Sequence, residues 1–316
     1  STVAAPGVAV NQLNRMQHLD QLYYAIFGPE LDSRWKGNLK RYRLALGGSA
    51  PELVDKNGNS AVDPNTGFFA ENAHSFWSPQ VDGPEVTKGG ARSQLGNQKR
   101  RLFVAGSGNG DNLGSAKGTS ATSAAISQVQ MPEDLGKSGY GLDASASDEE
   151  RNLLFAKLMT AWGDPLHSEP RLVNYGYLGD LDEARNDSDK QDNVLFVSTN
   201  DGMLHALDAK SGEEYFTFMP GEQAAMASKR YSQPPLDADN NRTTYGLDGS
   251  WTVWRQPDPD NLTDVDKVYL YGGMRRGGRN YYALDVSNKN KPRWLWRIRG
   301  GSGDFVELGQ TWSAPT

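Results

Sequence analysis

Apolar and polar residues are most regularly patterned in two stretches that repeat one another. Val194–Phe218 opens Val-Leu-Phe-Val-Ser-Thr-Asn-Asp-Gly-Met-Leu-His-Ala-Leu-Asp and runs through a Lys-Ser-Gly turn into an aromatic segment. Val268–Asp285 opens Val-Tyr-Leu-Tyr-Gly-Gly, closes on Ala-Leu-Asp, and is followed by Arg293-Trp-Leu-Trp-Arg-Ile298. Each stretch predicts a strand, a glycine turn, a strand ending Ala-Leu-Asp, a second turn and an aromatic strand. Strands this short do not bury an apolar face alone, so a repeated hairpin series predicts stacked sheets of the β-propeller kind. Weaker copies lie upstream. Arg101–Gly106 resembles the first strand of the unit, and Gly37–Leu44 resembles its glycine turn and second strand. Alternation there places Tyr42, Leu44 and Leu46 on one face, with Arg41 and Arg43 on the other.

Two segments carry helical spacing instead. Leu13, Met16, Leu19, Leu22, Tyr23, Ile26 and Phe27 recur at intervals of three and four, which predicts an N-terminal amphipathic helix ended by Gly28-Pro29 and laid over the sheets. A second helix is expected after Ser147 or Asp148, with acidic residues in its first turn and a stop at Gly163-Asp-Pro165. Residues 47–99 read as long loops, and residues 106–149 as a polar insertion. The expected fold is mainly β: a modified, quinoprotein-like β-propeller with an N-terminal helix and long loop insertions. Residues 1–160 form its first part and 161–316 its blades. The blades are too few to close a ring, so the propeller is expected to be truncated at its C-terminal end.

The 35 glycines, 8 tryptophans and 13 tyrosines fit many short strands joined by turns. A net charge of −6 disfavours general nucleic-acid binding, and no apolar run approaches the roughly 18 residues needed to span a bilayer. The opening Ser1–Pro6 is not a signal peptide, which leaves a cytosolic chain or a fragment of a longer exported one. The chain has no cysteine, which removes disulfides, thiolate metal sites and cysteine nucleophiles together.

Asp55, Asn57, Asn59, Ala61 (through its carbonyl) and Asp63 place oxygen donors at alternating positions of one loop, the spacing of a candidate calcium site. The loop departs from an EF-hand: its glycine is at the fourth position, and Thr66 stands where the bidentate glutamate would be. Asp187-Ser-Asp189 and Asp237–Asn241 are weaker versions. The four histidines form no zinc pair and no Gly-x-Ser-x-Gly elbow occurs, so no catalytic residue is assigned. His205 reads as a packing residue and His167 as a structural hydrogen-bonding one. Gly272–Gly278, with Arg275, Arg276 and Arg279 in or beside it, reads as a hairpin turn with basic tips. Phe68, Phe69, Phe76 and Trp77 are candidates for a contact patch, with core packing the expected use of most of them.

The motifs, taken in order, resemble one family. Asn14–Phe27, Trp35–Tyr42, Ala61–Gly67, Ser75-Phe-Trp-Ser78, Gly163-Asp-Pro-Leu-His-Ser168, Asn200–Asp208, Tyr245–Ser250, Gly277–Asp285 and Leu308–Ser313 are similar to runs in the C-terminal domain of the PilY family. These are tip-associated assembly factors and adhesins of bacterial type IV pili. The resemblance implies a non-enzymatic propeller at the extracellular pilus tip, or at the outer membrane and cell surface during assembly. It implies minor pilins and host or abiotic surfaces as partners, and roles in pilus assembly against retraction, twitching motility and adhesion. The family's own calcium loop lies beyond Gly-Gln-Thr-Trp-Ser and maps to no residue here. Two other readings remain open: a periplasmic or envelope scaffold propeller, and a pyrroloquinoline-quinone-dependent dehydrogenase.

Overall fold

The computed structural model describes residues 2–3, 7–10, 18–29, 34–47, 50–96, 99–105, 123–232, 245–261 and 264–313. Three sheets stack in series. The first joins β1 (Thr2–Val3), β2 (Gly7–Val10), β3 (His18–Gly28), β4 (Lys36–Ala45) and β5 (Glu52–Val54) in the order β1-β3-β4-β5, with β2 also on β3. Long turns and the short helix α1 (Gly90–Gln94) follow, then β6 (Leu102–Ala105), β7 (Ala124–Ala125), β8 (Ser127–Val129) and α2 (Asp148–Thr160). The first blade is β9 (Arg171–Tyr177), β10 (Gln191–Ser198), β11 (Leu204–Asp208) and β12 (Glu214–Pro220), with α3 (Leu181–Asn186) between its first two strands. After α4 (Gly221–Ala224) and α5 (Ala227–Ser232), the second blade is β13 (Trp251–Pro257), β14 (Val265–Gly273), β15 (Tyr281–Asp285) and β16 (Arg293–Ile298).

The two repeats superpose in register. Val194 faces Asp208 in the first blade as Tyr269 faces Asp285 in the second, and a bulge follows Ala206 in one and Ala283 in the other. Both Ala-Leu-Asp aspartates accept backbone N–H groups of the turn that follows, from Lys210 and Ser211 in one blade and from Ser287 in the other. The motif is therefore turn chemistry that ends one strand and aims the next.

Each blade packs through alternate positions. On the first blade, Leu195, Val197 and Leu207 meet Tyr23, Ala25, Leu39 and Trp77 of the first sheet and its loops. Its other face, Val173, Val194, Phe196 and Phe216, packs on Leu270, Tyr282, Leu284 and Trp294 of the second blade. By register, Trp254, Tyr269, Tyr271 and Trp296 are the second blade's equivalents of that packing face. They are only half-buried or exposed, with Trp254 43% exposed.

Four expectations need correction. The predicted N-terminal helix is strand β3, paired residue by residue with β4 from Gln21↔Arg43 to Gly28↔Lys36. Both faces of β3 are covered, so its apolar run is nearly continuous and imitates helical spacing. The aromatic and β-branched residues Tyr23, Tyr24, Ile26 and Phe27 suit a pleated sheet. Leu13 and Met16 lie outside the described residues. Gly37 is inside β4 and not in a turn: a Cβ there would stand 2.1 Å from the Gly163 carbonyl oxygen, so close approach is what requires glycine. Leu46 lies past the strand and is exposed. Leu102–Ala105 is not a blade's first strand; it adds in parallel to β12, beyond the fourth strand of the first blade.

Within the stretch read as an insertion, residues 106–122 lie outside the described set, but β8 extends β6 and β7 pairs with β16. One segment thus joins both blade sheets, β16 directly through β7 and the first blade through β6. The second helix starts as expected: the Ser147 hydroxyl accepts Glu150 N–H while the Glu150 carboxylate accepts Ser147 N–H.

Candidate functional site

Three of the sequence motifs meet in one buried polar junction between the blades. In Gly163–Ser168, Gly163 N–H donates to Asp201 (2.9 Å), and Asp164 accepts from the Asn200 side-chain amide (2.8 Å). That Asn200 amide also reaches Asp248 (3.1 Å), and Gly246 N–H donates back to the Asn200 side-chain oxygen (3.3 Å). His167 Nδ1 lies 2.9 Å from the Asp248 carboxylate, and the Ser168 hydroxyl accepts Ser198 N–H. The turn after β10, the loop after α2 and the loop before β13 are thereby locked together. Burial raises the Asp164 carboxyl to about 6, a shift opposed by its Asn200 and Leu166 donors and reinforced by Asp248 and Asp201.

A second network lies inside the first blade. Arg100 holds Glu214 by two parallel bonds, Nε to Oε2 at 3.0 Å and Nη2 to Oε1 at 2.9 Å. His205 Nδ1 is 2.8 Å from Glu214 Oε1, and its ring stacks on Trp162 at 4.2 Å. Burial would raise the Glu214 pKa, but Arg100 and His205 overcome it and hold the carboxyl at about 2. His205 is a packing residue, as expected, and also a buried hydrogen-bond partner of Glu214, which its neighbours in sequence did not reveal.

The other motifs serve the same kind of purpose. Ser75 and Ser78 share a hydrogen bond; Ser75 donates to Asp82, which pairs with the fully buried Lys40 at 2.9 Å. The Thr311 hydroxyl of Gly309-Gln-Thr-Trp-Ser313 accepts Met274 N–H at 2.8 Å and donates to the Asn280 carbonyl, which fastens the glycine-rich hairpin. That hairpin is a turn with Arg275 and Arg276 at its tip, as the sequence predicted.

The 55–63 loop is a tight turn organised by Asp55. One Asp55 oxygen accepts N–H groups of Asn57 and Asn59, and the other accepts His74 N–H. Asp63 caps a separate turn through Asn65 and Thr66, and the Ala61 carbonyl accepts Ala70 N–H. The side chains of Asn57 and Asn59 are exposed. Among the described residues no group of three or more His, Cys, Asp or Glu is placed to hold a metal ion. Asp189 is committed to Arg41 at 2.6 Å, and Asp237–Asn241 lies outside the described residues. Of the aromatics in this region, Trp77 and Phe69 are buried, Phe76 is covered by Arg41 and Arg43, and Phe68 is 66% exposed.

A cavity of about 190 Å³ opens beside the junction. Its wall is formed by residues 34–36, Arg92 of α1, residues 161–164, the Asn200–Asp201 turn, and Arg230 and Tyr231 of α5. Three buried donors in residues of this wall, Trp162 Nε1, Arg230 Nε and Tyr231 Oη, have no hydrogen-bond partner among the described residues. Leaving a buried donor unpaired costs on the order of 1–3 kcal/mol. Sequence reading missed this feature because its parts come from five separate segments that only the fold brings together.

Residues 172–305 match the family described as the PilY1 beta-propeller domain. Type IV pilus biogenesis factor PilY1 of Pseudomonas aeruginosa (strain UCBPP-PA14) is 29% identical over 174 residues, covering 51% of this chain and 14% of that protein. A PilY1 homolog of Xylella fastidiosa is 36% identical over 126 residues, 39% of this chain and 9% of that one. PilY1 of P. aeruginosa strain PAK aligns over 312 residues at 24% identity, 90% of this chain and 23% of the relative. The crystal structure of the P. aeruginosa PilY1 C-terminal domain aligns at 29% identity over 39% of this chain and 22% of that chain, with a TM-score of 0.27. That superposition is too slight to bear on the fold. The chain spans less than a quarter of the length of these curated relatives.

Proposed function

Because this chain belongs to the PilY1 beta-propeller family through residues 172–305, we propose that it is part of a type IV pilus biogenesis factor that acts by binding and not by catalysis. It would sit at the pilus tip on minor pilins, favour assembly over retraction, and support twitching motility and attachment to surfaces. The family relationship carries this reading. The geometry agrees with it, since the histidine–carboxylate pairs His167–Asp248 and His205–Glu214 are spent on joining blade elements.

Deleting the parent gene is the first test. The reading expects a large fall in pilin sheared from the cell surface, with pili restored when retraction is also blocked. Normal surface pilin in the deletion strain, with envelope defects unrelated to pili, would instead support the scaffold reading.

Calcium at the 55–63 loop belongs to the same proposal and rests on spacing. Asp55, Asn57, Asn59 and Asp63 would supply ligands, with the Ala61 carbonyl beside them, and Asp55 also shapes the loop through its three amide contacts. Chelation is expected to lower the melting temperature of the native chain by a margin that Asp63→Ala removes. A melting curve unchanged by chelator contradicts it.

A further inference from the structure

We propose that the tip of the β14–β15 hairpin, with the aromatic residues beside it, is a docking surface for an acidic segment of a partner protein. The inference does not depend on the pilus reading.

Three observations converge on it. First, the tip carries Arg275, Arg276 and the exposed Arg279, and among the described residues none of them forms an ion pair with a carboxylate. Other basic side chains of this blade are paired: Arg297 with Glu222 at 3.1 Å, and Lys289 with Asp192. Second, Arg275 has a φ of 50°, and it is the one non-glycine residue among those described with a positive φ. The turn is held in that shape by Thr311, whose carbonyl accepts Arg275 N–H at 3.2 Å and whose hydroxyl accepts Met274 N–H. Glycine adopts this backbone freely, so a large side chain kept there against its preference points to a use for that side chain. Third, the guanidinium groups are set beside aromatic rings. That of Arg275 lies 5.4 Å from the centre of Trp312, a residue 53% exposed, and that of Arg276 lies 5.5 Å from the centre of Tyr245. A guanidinium placed over a ring still has N–H donors to offer an oxyanion.

The surroundings set the kind of anion. Arginine pairs with carboxylates and phosphates alike, but the chain carries a net charge of −6. Asp304 and Glu307 are exposed on the stretch that follows β16, beside the Gly300–Gly301 turn that touches Arg279. A long polyanion running past the tip meets repulsion, whereas a short acidic segment stays on the arginines. Arginine with an exposed tryptophan and a tyrosine is also the combination that anchors protein–protein interfaces. Trp312 then takes an apolar side chain next to the partner's carboxylates.

The test is fluorescence anisotropy of a labelled, glutamate-rich peptide with a central leucine, titrated with the chain. Saturable binding is expected, weakening as salt rises. The same peptide with glutamine for glutamate should bind about tenfold or more weakly, because the charge-assisted bonds are lost. Arg275→Gly should weaken binding of the glutamate peptide severalfold and keep the turn, since glycine suits that backbone. Arg279→Gln, on an exposed side chain, should weaken it too, and keeps the test open should Arg275→Gly fold poorly. Arg185→Gln, an equal charge change on α3, should leave binding unchanged. No binding of the glutamate peptide, equal binding of the two peptides, or equal effects of Arg185→Gln and Arg279→Gln overturns the proposal. A single-stranded oligonucleotide that binds as tightly as the glutamate peptide overturns the assignment to a protein partner.

Discussion

At the scale of single residues, two buried carboxylates, Glu214 and Asp164, tie the stability of this chain to pH. Glu214 is held at about 2 by Arg100 and His205, below the ordinary glutamate range. It contributes stability in full above about 4.5, and that contribution is lost as pH falls from there towards 2. Arg100→Met leaves the buried carboxylate without its arginine, still bonded to His205 and Thr217, and should cost about 3–5 kcal/mol in denaturant unfolding near neutral pH. Adding Glu214→Gln should recover part of the loss; a single variant as stable as the native chain would contradict the pairing. Asp164 behaves in the opposite sense. Its carboxyl is raised to about 6 in the fold, so ionisation there opposes folding as pH rises from about 4 to 6. Asp164→Asn keeps the oxygen that accepts from Asn200 and should be the more stable protein at pH 7–8. The expected gain is up to about 2–3 kcal/mol, shrinking as pH drops towards 4. A constant difference across that range would show that Asp164 is not the group responsible.

At the scale of elements, the repeat was legible and the partners of its strands were not. Val194–Phe218 and Val268–Ile298 became equivalent strands with matched bulges, because alternation, glycine turns and Ala-Leu-Asp all act locally. The β3 segment was misread because burial on both sides erases the alternation that marks a half-exposed strand. The pairing of β6 with β12 has no local signature at all: Leu102 and Thr217 are brought together by topology. The candidate chemistry divides the same way. The hydrogen bonding expected of His167 and the packing expected of His205 are both present, whereas their carboxylate partners, Asp248 and Glu214, are fixed only by the fold. Glycines in the motifs have the same long-range logic. A Cβ on Gly277 would stand 1.7 Å from the Gly246 carbonyl oxygen, across the contact between two motifs. Gly277→Ala should therefore destabilise the chain by at least about 1–3 kcal/mol, measured by chemical denaturation. A neutral result would mean that the two loops separate freely.

At the scale of the whole molecule, the stack has an asymmetry that follows from the repeat. The first blade is covered on both faces, while Trp254, Tyr269, Tyr271 and Trp296 stand on the second blade where the first has its packing residues. Aromatic surface left partly open in this way favours association with other apolar surface. The chain studied alone should bind a hydrophobic dye and self-associate with rising concentration, and Trp254→Ser with Tyr269→Ser should reduce both. A monomer that ignores the dye would show that the face is already satisfied. No helix among the described residues is long and apolar enough to cross a membrane. The central proposal is that the protein works at the end of a type IV pilus. Immunogold labelling of that protein on intact cells and sheared filaments tests it most directly. The account predicts gold at filament ends. Gold confined to the cell envelope, with bare filament tips, would contradict it.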